Sequence, residues 1–245
     1  MPTYSICPIP LCEGPRQGSH FTARMNFDST YQMICYSWYI KGSQPKVLVD
    51  PGAPASLFTD VQGIKEQKDI MSIEDGLARQ GVKPEDIEIV IITHLHNDHI
   101  LLGYLFKNAR FIVQKKELEY AKNPHPLDGH HYNPKNWEGL NLEVIDGAKV
   151  IIPGISVFLS PGHTPGGQSV EVNTEKGKAI ITGFCCSLAT FEQNEQMKRW
   201  GWEVSIPTIH LDARAIYDSV LEVKRRADII IAQHDNSYAD KLRIP

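Results

Sequence analysis

A histidine-rich segment placed directly after a strand-like run constrains this chain more than any other feature. Residues 87–92 are apolar apart from Glu88 and predict a buried strand. The next six residues, His94 to His99 after a single threonine, hold three imidazoles and one carboxylate. Clustered histidines neither pack well nor satisfy one another, whereas imidazole and carboxylate groups suit zinc, iron and manganese. The pattern therefore predicts a metal site at the end of this strand.

The spacing inside this segment predicts two metals rather than one. His94 and His96 are two residues apart, so in an extended segment they point to the same side. Asp98 and His99 are adjacent and would diverge in an extended chain. They are better placed where the chain turns into a helix, which we expect over residues 101–107. His94 and His96 would then face one metal, and Asp98 and His99 a second metal close by.

The HxHxDH pattern resembles that of the metallo-β-lactamase superfamily. Four more segments resemble motifs of that family in the same order, namely residues 47–52 (VLVDPG), 160–166 (SPGHTPG), 180–183 (IITG) and 231–235 (IAQHD). The resemblance runs from about residue 31 to the C-terminus. It implies an α/β fold, a four-layer αβ/βα sandwich formed by a single domain over residues 1–245. Loop insertions are expected near 123–140 and 184–211.

The same resemblance implies a complete set of metal ligands. The first metal would be held by His94, His96 and His163, and the second by Asp98, His99 and His234. We expect two divalent ions, zinc first, with iron or manganese as alternatives. A water shared by two metals becomes a hydroxide nucleophile near neutral pH. Asp98 would also pass a proton to the leaving alkoxide, and Asp50 would accept a hydrogen bond from a ligand histidine.

The chain departs from the family pattern at one position. After Thr182 and Gly183 the pattern has an aspartate that bridges both metals, but here Phe184 follows, then Cys185 and Cys186. Either a cysteine thiolate replaces the aspartate, or the second metal has three protein ligands, or only one metal binds well. Adjacent residues of a strand point opposite ways, so at most one sulfur would reach the site. We take Cys185 as the candidate ligand, with two buried apolar thiols as the alternative. Without a sulfur ligand, Phe184 is expected to wall the site.

Within the superfamily the chain is most similar to the N-acyl-homoserine lactonase group, by its size and by residues 113–121 and 161–169. That resemblance implies a metal-dependent hydrolase that opens a lactone or related ester of a small molecule, with a role in quorum quenching. The active-site tyrosine of that group has no counterpart near Ser187. A glyoxalase-II-like thioesterase, a di-iron oxidoreductase and a non-catalytic sensor on the same fold are the alternatives.

Length, charge and composition limit the binding partners and the cellular location that we expect for this chain. A chain of 245 residues suits one large domain or two small ones. A net charge of −4 without a long basic stretch argues against nucleic acid. A signal-peptide pattern and an apolar run of roughly 18 residues are both missing, so we expect no membrane partner and a cytoplasmic location. The five cysteines are expected to be reduced thiols. The sequence leaves open whether the protein forms a homodimer.

Hydrophobic periodicity predicts the remaining elements. Strands are expected at 31–40, 46–50, 110–113, 142–145, 155–159, 169–172, 178–182 and 228–232, and helices at 73–80, 115–121 and 213–226. Residues 1–30 show little periodicity and would lead into the first strand or wrap the surface. The polar loop 123–140 is long enough to suggest a functional role. Two interpretations are open for its histidines, His125, His130 and His131. Either they line a substrate pocket or, as we favour, they are exposed to solvent.

Overall fold

The fold consists of two β-sheets that pack face to face, with helices on both outer sides. The computed structural model describes residues 2–61 and 63–245. The larger sheet has the strand order β4-β1-β2-β3-β5-β6-β7. Its strands are β1 (Ser5–Gln17), β2 (Thr30–Lys41), β3 (Val47–Val49), β4 (Lys68–Asp69), β5 (Ile89–Ile91), β6 (Arg110–Gln114) and β7 (Leu142–Ile145).

The smaller sheet has the order β12-β11-β10-β9-β8. Its strands are β8 (Lys149–Ile152), β9 (Ile155–Leu159), β10 (Gln168–Thr174), β11 (Gly177–Ile181) and β12 (Ile229–Ile231). The helices are α1 (Ile73–Ala78), α2 (Asn97–Ile100), α3 (Lys115–Lys122), α4 (Glu195–Trp200) and α5 (Ala213–Arg226).

One apolar cluster fills the space between the sheets. It joins Trp38 and Ile91 of the larger sheet to Val170 and Ile181 of the smaller one. A second cluster packs Leu77 of α1 on the outer face of the larger sheet. A third packs α5, through residues such as Val220, on the outer face of the smaller sheet. The predicted four-layer αβ/βα sandwich is therefore confirmed.

Most predicted elements are present within a few residues of their expected ends. Ser72 caps α1 by accepting a hydrogen bond from the amide of Asp75, and Asp212 caps α5 in the same way. The helix expected at 101–107 begins earlier, with α2, and continues as a 3₁₀ turn over Leu101–Leu105. The insertion at 184–211 is not wholly irregular, since it contains α4. All five cysteines are free, as expected.

The N-terminal strand is the element that periodicity failed to locate. β1 is 13 residues long and pairs with β2 along its length, although it contains Pro8, Pro10 and Pro15. On its other side it pairs with β4 only at Cys12 and Glu13. Most of β1 is thus an edge strand, where a missing N–H costs no ladder hydrogen bond. Among the helices that the structure describes, none is long and apolar enough to cross a membrane.

Candidate metal centre

Six side chains from both sheets meet at one edge of the sandwich. His94 and His96 follow β5, Asp98 and His99 belong to α2, His163 follows β9, and His234 follows β12. They form two trios, which we call the first trio (His94, His96, His163) and the second trio (Asp98, His99, His234). Within each trio the candidate ligand atoms all lie within 4.8 Å of one another. The structure therefore brings together the six residues that the family pattern suggested.

Hydrogen bonds orient the rings of the first trio toward a common point. Nδ1 of His163 lies 2.8 Å from the carbonyl oxygen of Ile209 and must donate to it, which leaves its Nε2 unprotonated in the neutral ring. The hydroxyl of Thr93 donates to Asp50 at 2.6 Å, so its oxygen accepts from Nδ1 of His94 at 3.1 Å. Nε2 of His94 is then also unprotonated. The two Nε2 atoms are only 3.1 Å apart.

Two facing lone pairs at that distance repel unless a cation lies between or beside them. No described residue lies within hydrogen-bonding distance of the buried Nε2 of His96, and Oδ1 of Asp128 is 3.8 Å away. Burial lowers the pKa of His94 and of His163 well below the usual value, and neighbouring imidazoles lower it further. Neutral imidazole is the form that ligates metals. The first trio therefore fits a divalent cation.

In the second trio a carboxylate lies between two imidazoles. Oδ2 of Asp98 is 3.4 Å from Nε2 of His99 and 3.8 Å from Nε2 of His234. Nδ1 of His234 donates to the carbonyl oxygen of Ile34 at 2.9 Å, so its Nε2 faces Asp98 with a lone pair. Burial opposes ionisation of Asp98, but the surrounding imidazoles hold the pKa of its carboxyl well below the usual value. A cation between these groups would satisfy all three.

Asp50 connects three strand ends beneath the second trio. Its carboxylate accepts from the amide and hydroxyl of Thr93 at 2.7 and 2.6 Å, and from Nδ1 of His99 at 2.8 Å. Gln233 donates to it through Nε2 at 2.5 Å, because the indole of Trp38 donates to the Oε1 of the same amide. The expected bond between Asp50 and a ligand candidate is therefore present, and that candidate is His99.

Glu117 of α3 connects the two segments that carry the first trio. Its carboxylate accepts from the amide of Leu95 at 2.9 Å, from the hydroxyl of Thr164 at 2.6 Å and from the amide of Gly166 at 3.1 Å. A side chain at Gly166 would lie about 2.1 Å from the amide nitrogen of Glu117, so this close approach requires glycine. Sequence reasoning missed Glu117, since nothing in a single sequence separates it from the exposed Glu119 on the same helix.

Five of the six trio residues line a cavity of about 730 Å³, and the sixth, His94, is fully buried behind them. Besides ligand candidates, its wall contains Arg16, His20, Met33, Phe58, Ile64 and Cys185. The polar loop 123–140 also reaches it. His131 stacks on His96 with ring centroids 4.7 Å apart and lines the cavity, and His130 also lines it although it is exposed to solvent. His125 is exposed, as expected, and is not part of the cavity wall.

Phe184, which stands where the family pattern has the bridging aspartate, lies away from the cavity. That ring is fully buried in the third apolar cluster with Phe191 and Val220, so the expectation that it walls the site is wrong. Cys186 packs in the same cluster, with its sulfur 3.1 Å from the Thr182 hydroxyl. Cys185 alone faces the cavity. Its sulfur belongs to neither trio, and burial raises the pKa of its thiol well above the usual value.

We expect a carboxylate at position 185, and not at 184, to strengthen binding of a metal at the second trio. Cys185→Asp should raise zinc affinity about tenfold, because it adds an oxygen ligand beside Asp98. The matched control Phe184→Asp should instead lower the free energy of unfolding by about 3 kcal/mol, because it buries a charge in the apolar cluster. Chelator competition and urea denaturation measure the two effects. If Phe184→Asp raised zinc affinity without any loss of stability, residue 184 and not residue 185 would be the bridging position.

Comparison with known proteins agrees with this geometry. Residues 30–183, more than half of the chain, match the family model of the metallo-beta-lactamase superfamily. The chain belongs to the metallo-β-lactamase superfamily. This superfamily member is 27% identical to an N-acyl homoserine lactonase of a Bacillus species over 215 residues, which cover 82% of this chain and 80% of the relative. It is 32% identical to the lactonase AttM of Agrobacterium fabrum over 148 residues, which cover 57% and 56% of the two chains.

Solved structures of lactonases have the same fold. An N-acyl homoserine lactone hydrolase with the product N-hexanoyl-L-homoserine bound at its catalytic metal center superposes with a TM-score of 0.76 at 25% identity. The match covers 96% of this chain and 95% of that one. The dizinc lactonase AidC superposes with a TM-score of 0.67 at 17% identity over 98% and 92% of the chains, which supports the fold alone. The resemblance to the lactonase group is confirmed, and this superfamily member is a lactonase-like metallohydrolase.

Proposed function

We propose that this protein hydrolyses lactones with two divalent metal ions held by the two trios, and with hydroxide as the nucleophile. The observation that carries the proposal is the pair of unprotonated Nε2 atoms of His94 and His163, 3.1 Å apart, beside a cavity that His163 and Asp98 line. The lactonases among its relatives support the substrate class. If acyl-homoserine lactones are the substrates, the biological role would be quorum quenching.

The donor set of five imidazoles and one carboxylate suits zinc, with iron and manganese as alternatives. Two such ions would lower the pKa of a shared water and polarise the ester carbonyl. The protein's own contribution to proton transfer is Asp98, whose side chain is 16% exposed and lines the cavity. A proton taken up by its carboxylate would pass to the alkoxide oxygen that leaves as the ring opens.

The test is metal content together with a substrate panel. We expect protein reconstituted with zinc, manganese or iron to hold two metal equivalents per chain by elemental analysis. We also expect it to open acyl-homoserine lactones or simple lactones. Chelation should abolish turnover, and added metal should restore it.

The same panel separates the alternatives. Turnover of acyl-glutathione thioesters without lactone turnover would assign a thioesterase instead. Oxygen consumption by the iron-loaded protein would assign an oxidoreductase. No turnover of lactones, aryl esters or thioesters at full metal occupancy would contradict the hydrolase proposal.

A further inference from the structure

The cavity contains a guanidinium that has no anionic partner. Arg16 lies near the end of β1 and lines the cavity together with Asp98 and Cys185. Its Nη1 donates to the carbonyl oxygen of the adjacent Pro15 at 2.8 Å, and the group lies over the ring of Phe58, 5.4 Å from the centroid. Over residues 2–61 and 63–245, no carboxylate oxygen lies within 4.0 Å of it. Most of its five N–H donors are therefore left for solvent or a ligand.

Arg16 differs in this respect from the other arginine that is half-buried in the described part of the chain. Arg110 is also half-buried but forms an ion pair with Glu143. Arg225 and Arg226 are exposed and yet also contact carboxylates. Burial without a contacting counter-charge is unfavourable for a guanidinium and lowers the pKa of Arg16, and the more distant Asp98 offsets this only in part. An anion that enters the cavity would remove that cost.

Among the described residues of the cavity wall, Arg16 is the one with a fixed positive charge. The neighbouring His20 does not share this property, because burial lowers its pKa to about 4 and leaves it neutral near pH 7. The one carboxylate among the described residues of the wall is Asp98 of the second trio, and a metal bound there would neutralise it. A guanidinium in such a partly apolar cavity is well suited to bidentate recognition of a carboxylate or phosphoryl group.

We propose that Arg16 binds an anionic substituent of the substrate, a carboxylate or phosphoryl group separate from the ester that is cleaved. This inference rests on the proposed lactone hydrolysis and refines its substrate class, since a lactone that carries a negative charge should be preferred over uncharged lactones, acyl-homoserine lactones included. Arg16 would act as a specificity-determining residue. An uncharged lactone would leave its guanidinium without a partner.

Matched substrates test this directly. The first arm compares the γ-lactone 5-oxotetrahydrofuran-2-carboxylate with its neutral carboxamide, which is close to it in size but differs in net charge. The phosphoryl arm uses a γ-lactone that carries a phosphonomethyl group in place of the carboxylate. We expect kcat/KM of the metal-loaded protein to favour a charged lactone over the carboxamide by about 30-fold. The arm with the larger preference identifies the anion.

Variants of Arg16 should change this preference selectively. Arg16→Gln should lower kcat/KM for the charged lactone by about 30-fold and leave the carboxamide within about threefold, while Arg16→Lys recovers part of the loss. Arg79→Gln, an exposed arginine at the end of α1, is the matched control and should change neither value. Melting temperatures establish that each variant is folded.

A binding measurement keeps this inference separate from the hydrolase proposal. Calorimetry with 3-oxocyclopentane-1-carboxylate, the carbocyclic analogue that has no ester to cleave, should show binding that Arg16→Gln weakens about 30-fold. The analogue's carboxamide should bind equally weakly to both proteins. If nothing in the panel is hydrolysed, the proposed function fails while calorimetry still decides the role of Arg16. Equal losses on charged and neutral lactones in Arg16→Gln, or a wild-type preference for the carboxamide, would overturn the inference.

Discussion

Replacing His163 with alanine is expected to remove most of the bound metal and to lower lactone hydrolysis by roughly a thousandfold or more. The first trio would keep only two imidazoles, and the Nε2 atom that faces His94 at 3.1 Å would be lost. Elemental analysis of the purified protein and initial rates on a lactone measure the two effects. Both should fall together, because metal binding and nucleophile formation depend on the same ligands.

His125→Ala is the matched control for this prediction. His125 is an exposed loop histidine that belongs to neither trio, so its removal should leave metal content and rate unchanged. Circular dichroism would show whether the His163→Ala chain still folds. Full metal content in a folded His163→Ala protein would exclude His163 as a ligand.

Replacing Glu117 with glutamine is expected to lower the free energy of unfolding by about 2 to 3 kcal/mol and to weaken metal binding at the first trio about tenfold or more. The carboxylate accepts from two backbone amides and from the Thr164 hydroxyl. A glutamine NH₂ would face at least one donor that cannot turn into an acceptor. The segments that hold His96 and His163 would then lose their common anchor.

Urea denaturation and chelator competition measure the two effects of Glu117→Gln. Glu119→Gln makes the same chemical change on an exposed residue of the same helix, and we expect it to alter neither stability nor affinity. If the two variants behaved alike, Glu117 would not be a positioning residue.

Local pattern was enough to predict much of the fold and of the candidate site. Strand β5 carries a continuous apolar run, so its position follows from the sequence. β1 was not predicted, since three prolines interrupt its pattern and only its place at the edge of the sheet makes them acceptable. The helix predicted from residue 101 begins earlier than expected. The chain turns into α2 at Asn97, inside the histidine segment itself.

The sequence by itself determined which residues could form the two trios. Short spacing places His94 beside His96 and Asp98 beside His99, because side-chain direction over so few residues depends on local backbone geometry. Family motifs supplied His163 and His234, which lie far away in the chain. Only the tertiary structure decided that Cys185, and not Phe184, faces the cavity, and that Arg16 and Glu117 reach the site. These outcomes depend on how strand ends from two sheets pack together, and burial and charge environment at such contacts are not encoded in any short segment.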